Sequence, residues 1–120
     1  MGVWQCMARV VVRVEGDALN PEALRDQIDT EGCGSVVTFV GLTRGMEDGV
    51  EVEKLEFDAW EEMLPSVLQR LGLEAVEKFS IHSVVMAHRT GVVHPQEPIV
   101  CIHVASPHRT EGFEACSWLI

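Results

Sequence analysis

The sequence predicts an α+β domain: a mostly antiparallel sheet covered by two or three helices. Three observations predict it. Apolar runs rich in β-branched residues recur at residues 8–14, 34–42 and 99–106, each bounded by polar or turn residues. Apolar residues return at helical spacing between Leu64 and Phe79. Asn20-Pro21-Glu22 spells a helix start, with Asn as N-cap, Pro at the first helical position and an acid in the first turn. The 120 residues carry no repeat and no linker, and suit a single domain.

Taken in order, residues 8–14 read as a valine-rich strand, followed by the Asn20 helix, on which Leu24 and Ile28 share a face and which Gly32 and Gly34 stop. Residues 34–42 (GSVVTFVGL) are almost continuously apolar, the pattern of a strand covered on both faces. A loop at residues 43–49 ends in the turn signal Asp48-Gly49. Residues 50–59 resume as a strand in which Val52 lies on one parity and Leu55 and Phe57 on the other, so a bulge or register change is expected. In the helix that follows, Glu61 and Glu62 after Trp60 suit the first turn through the helix dipole. Pro65 is tolerable only near the start, and Gly72 should weaken the middle. Residues 80–89 form another strand, residues 90–98 a loop restricted by Pro95 and Pro98, and residues 99–106 a buried strand leading into a helix near Thr110.

Composition excludes several classes. Nineteen acidic residues against nine basic ones, a formal net charge of -10, argue against broad nucleic-acid binding and read as a solubility feature. No apolar run approaches the roughly 20 residues that span a bilayer. The N-terminus lacks the basic start and apolar stretch of a signal peptide, and Cys6 occupies the position where a myristoylation signal needs Ser or Thr. Cys6, Cys33, Cys101 and Cys116 form no Cys-x-x-Cys pair and read as small buried hydrophobes in a reducing cytoplasm. His82, His94 and His103 show no zinc-ligand spacing, and neither a nucleophile elbow nor a phosphate-binding glycine loop is present.

The chemistry concentrates at the end of the last strand. There His108 and Arg109 stand where a helix begins, so free backbone N–H groups and the positive end of the peptide dipoles add to an imidazole and a guanidinium. Such a corner suits a phosphate or a developing oxyanion. Arg44, at the end of an apolar strand, reads either as an exposed loop arginine or as a second anion ligand. His88-Arg89 repeats the pattern, and there a structural role is expected: Arg89 pairs with an acid and ties down the loop that follows.

Four separated blocks resemble one family: residues 34–44 (GSVVTFVGLTR), 55–60 (LEFDAW), 88–91 (HRTG), and 105–109 (ASPHR) with 113–115 (FEA). In this order they resemble the large, catalytic (MoaE-like) subunit of molybdopterin synthase, over residues 11–120. The resemblance implies an α/β hammerhead fold and a homodimer in which each large subunit binds one small ubiquitin-like subunit. It implies that sulfur passes, in two rounds, from the thiocarboxylated C-terminus of that small subunit to cyclic pyranopterin monophosphate, forming the molybdopterin dithiolene without a metal or cofactor for the transfer. Carried over by position, Arg44 matches the family arginine near the active site, and His108 and Arg109 match the His-Arg pair of the substrate pocket. The three are expected to line one basic niche open to anions, serving both catalysis and substrate binding.

One departure stands beside this match. The resemblance places the family's essential lysines on and after the last helix, beyond Ile120, whereas the chain holds only Lys54 and Lys78, neither at those positions. The last helix also closes on Trp118-Leu119-Ile120 without a stop signal. The expectation is therefore a single domain, residues 1–120, lacking the C-terminal segment of the working protein, with weak or no turnover alone. Two alternatives remain: a non-catalytic module that holds the small subunit, and a histidine-based metal protein.

Overall fold

A computed structural model describes the backbone of residues 2–7, 9–44, 46–47, 50–51, 55–57 and 63–120, and the side chains of residues 9–44 and 63–120. Its centre is a five-stranded sheet built from β1 (Gly2–Met7), β2 (Val10–Glu15), β3 (Ser35–Leu42), β7 (Ser83–Arg89) and β9 (Pro98–Ser106), in the order β1-β2-β7-β9-β3. Only β2 and β7 run parallel; the other neighbours are antiparallel. Three helices, α1 (Pro21–Arg25), α2 (Leu64–Phe79) and α3 (Arg109–Leu119), complete the α+β architecture.

The alternation of side chains along the inner strands divides the core in two. Val10, Val12, Val84, Met86, Ile102 and Val104 face α2 and α3, where Ala75, Ala115 and Cys116 meet them. Val85, Ala87, Cys101 and Ala105 point the other way, toward Leu19, Leu24 and Ile28 around α1. Burying both faces explains why β7 and β9 read as unbroken apolar runs. Cys101 and Cys116 are buried as expected, and burial pushes the Cys101 thiol up to about 11, so it stays protonated and unreactive.

The Asn20 start behaves as read: its side-chain Oδ1 accepts from the Ala23 N–H at 3.1 Å, with Pro21 opening the helix. The helix is shorter than expected. Beyond Arg25 the chain continues in tight turns, Gln27 N–H to Leu24 and Ile28 N–H to Arg25, which still bury Leu24 and Ile28 together. Pro65 lies in the first turn of α2, and Ser80, in the left-handed region at φ 56°, ends that helix.

Other expectations are corrected. Residues 34–42 do form β3, but among the described residues β3 is an edge strand paired only with β9. Its residues are half-buried or exposed rather than covered on both faces. Within residues 50–59 the described residues form two short strands with different partners: β5 (Val50–Glu51) pairs with β4 (Met46–Glu47), and β6 (Leu55–Phe57) pairs with β8 (Gly91–Val93). β8 falls inside the segment read as loop, and β1 precedes the first strand that was read. The expected parity switch after Val52, the Asp48-Gly49 turn and the Trp60-Glu61-Glu62 first turn lie outside the described residues.

Candidate functional site

The His108–Arg109 corner forms where β9 stops and α3 begins. Pro107 cannot continue the ladder, and the Gly34 N–H folds the corner down by donating to the Ser106 and Pro107 carbonyls, both at 3.2 Å. His108 is the N-cap residue of α3 in extended conformation (φ -128°, ψ 157°), and its side chain makes no capping bond. Among the described residues neither His108 nor Arg109 spends its side chain on a hydrogen bond or ion pair, and both are exposed. An imidazole and a guanidinium are therefore exposed to solvent at a helix N-terminus, the kinds of group that hold an oxyanion.

Arg44 stands at the other end of β3. The preceding Thr43 is 1% exposed and is held on both sides of its peptide: its N–H donates to the Glu97 carbonyl at 3.0 Å and its carbonyl accepts from the Gln96 N–H at 2.7 Å. The turn that supplies these bonds is clipped by Arg89, which reaches Glu97 Oε2 at 3.0 Å and the Val92 carbonyl at 2.8 Å. Glu97 Oε1 accepts from the His94 N–H at 2.8 Å. The His94 N–H and the Arg89 guanidinium hold the Glu97 carboxyl below its ordinary value. Arg89 thus has the structural role read from the sequence. The exposed Arg44 makes no side-chain bond among the described residues.

A single chain does not gather the three cations into one niche. β3 and β9 run antiparallel, with Ser35 opposite Ser106 and Leu42 opposite Pro98. Arg44 follows one end of this ladder and His108–Arg109 the other. The seven residue steps from Ser35 to Leu42 amount to about 23 Å. The expectation of one niche within one chain is corrected on this ground.

One histidine missed as a structural element is His103. It is 3% exposed and ties three elements together: Nε2 lies 3.0 Å from the Pro21 carbonyl at the start of α1, and Nδ1 lies 2.7 Å from the Thr38 hydroxyl on β3. A carbonyl only accepts, so Nε2 carries the proton and Nδ1 accepts from Thr38. Burial, with the nearby Arg25 charge, lowers the imidazole pKa below 6.5, against the opposing pull of the Pro21 bond. The sign follows: below pH 6.5 the unfolded chain takes up a proton that the folded chain refuses. This contribution to stability is full above pH 6.5 and is lost as pH falls through the folded value. Urea unfolding at about pH 7.5 and about pH 5.5 should therefore show a larger loss for the wild type than for His103→Gln. Equal losses would refute it.

Among the described residues no group of three His, Cys, Asp or Glu side chains is placed to hold a metal ion, and no helix is long and apolar enough to cross a membrane. The structure thus presents exposed cations at two strand ends of an α+β scaffold. Comparison with known proteins identifies the family of this scaffold. The MoaE protein family matches residues 14–120. The molybdopterin synthase catalytic subunit of Thermoplasma volcanium is 35% identical over 114 residues, covering 95% of this chain and 83% of that protein. That of Bacillus subtilis is 33% identical over 102 residues, covering 85% of this chain and 65% of its own length. The crystal structure of molybdopterin synthase from Staphylococcus aureus superposes with a TM-score of 0.82 at 30% identity, covering 88% of this chain and 77% of that one. The fold is shared, at 21% identity and a TM-score of 0.69, by a complex of subunits 1 and 2 of molybdopterin-converting factor from Helicobacter pylori, over 88% of this chain and 72% of that one. The chain belongs to the MoaE family.

Proposed function

We propose that the chain acts as the large subunit of a cytoplasmic molybdopterin synthase, a sulfurtransferase. It carries sulfur from the thiocarboxylated C-terminus of a small ubiquitin-like subunit to cyclic pyranopterin monophosphate. Each of two rounds exchanges a tail sulfur for an oxygen, so the tail leaves as a carboxylate and the pterin gains one sulfur of its dithiolene. The observation that carries the reading is the exposed His108–Arg109 corner within the matched family segment. Substrate phosphate and tail are both anionic, and charge develops on oxygen during exchange, so this corner and Arg44 serve ground state and transition state alike. A two-subunit assembly is supported by the Helicobacter pylori complex that shares the fold.

The distance between the cations gives the homodimer a chemical purpose. β3 is a sheet edge, with Leu42 47% exposed. A two-fold related copy laid beside that edge in the opposite direction brings Arg44 of one protomer next to His108 of the partner subunit and Arg109 of the partner subunit. Each dimer then holds two sites, each built from both copies.

The direct test mixes the full-length protein with thiocarboxylated small subunit and the cyclic pterin, then measures dithiolene product. Product supports the sulfurtransferase reading; a stable complex without product replaces it with the binding module.

A further inference from the structure

The corner that presents His108 and Arg109 is held by a group outside the family blocks' charged residues. The Ser106 side chain is completely buried, and its hydroxyl donates to the His108 carbonyl at 2.6 Å. That carbonyl is also the one which, as N-cap acceptor, takes the first intrahelical bond of α3. It is therefore held from both sides.

The space for this hydroxyl comes from Gly112. A Cβ at Gly112 would stand 2.7 Å from Ser106 Oγ and 3.2 Å from Val37 Cγ2. Glycine costs a helix interior about 1 kcal/mol relative to alanine, so helix propensity does not explain it; close approach of α3 to β9 does. Stability explains the serine no better. The carbonyl already has its helical partner, and alanine at position 106 would leave no orphaned acceptor and no hydroxyl to bury. What the hydroxyl adds is direction. Among the described residues the His108 and Arg109 side chains make no hydrogen bond or ion pair of their own to set their aim, so the peptide that Ser106 fixes sets it for them.

We propose that Ser106 is a positioning residue for the anion-binding His108–Arg109 pair and that Gly112 makes room for it. The inference rests on the reading of that pair given under the proposed function. The test uses the full-length protein with its small subunit, comparing wild type, Ser106→Ala, Gly112→Ala and the double variant. Each single variant is expected to raise KM for the cyclic pterin about tenfold with kcat changed far less, and the double variant should be no worse than the worse single, because both act through one bond. In the same samples the backbone amide resonances of Arg109 and Thr110 are expected to move in both single variants. Unchanged KM in Ser106→Ala, or multiplicative effects in the double variant, would overturn the proposal. If the wild type formed no product, the sulfurtransferase reading would fail by itself and the amide resonances would decide: movement in both single variants supports positioning, and no movement overturns it.

Discussion

Replacing Arg109 with alanine is expected to cut molybdopterin formation by about 10²–10³-fold, the range seen when one preorganised oxyanion donor is removed. Arg109 is the first residue of α3, exposed, and without a side-chain bond among the described residues. Its fork is free to bind a phosphate or thiocarboxylate through two parallel bonds. The same exposure keeps the stability cost small, within about 0.5 kcal/mol as for most surface substitutions. Arg109→Lys should recover only part of the activity, since an ammonium keeps the charge but not the fork. Steady-state assays beside thermal melts separate the two effects. Unaltered activity in a folded Arg109→Ala protein would remove Arg109 from the site.

The largest expected effect on stability comes from a conservative change, Gly72→Ala. From helix propensity alone it should stabilise α2 by about 1 kcal/mol. The structure reverses the sign. A Cβ at Gly72 would stand 2.5 Å from Val10 Cγ1 and 3.0 Å from Met86 Cε. The methionine tip can swing aside. Val10 cannot, because it is fully buried on an inner strand and its branched side chain has few rotamers. Overpacking of this kind costs about 1–3 kcal/mol, and the backbone must shift to relieve it. Gly72→Ala is therefore expected to melt roughly 5 °C or more below the wild type. A melting temperature equal to or above the wild-type value would mean that α2 can lift off the sheet without cost.

Local signals were the legible ones. The Asn20-Pro21 start, the helix from Leu64, the buried β9 run and the His108–Arg109 corner depend on residues close together in the chain, and each lies where it was read. The tie between Arg89 and an acid was legible as a type of contact, though Glu97 was not named. Pairing was not legible. Residues 34–42 are apolar enough for a central strand, yet β3 is an edge; one apparent strand at 50–59 serves two different partners. Gly72 looked like a weak point in a helix and proves to be the contact that lets α2 sit on Val10. The separation of Arg44 from His108–Arg109 belongs to the same class. It follows from the antiparallel register of β3 on β9, which no motif encodes.

That separation makes the dimer the central claim, and hybrid dimers test it. Arg44→Ala and Arg109→Ala chains carrying different affinity tags are combined, and dimers holding one of each are purified in two steps. Each variant alone is expected to be nearly inactive. A hybrid dimer has one site with both arginines intact and one with neither, so it should regain about half the wild-type rate. Hybrid dimers as inactive as their parents would contradict a site shared between two copies.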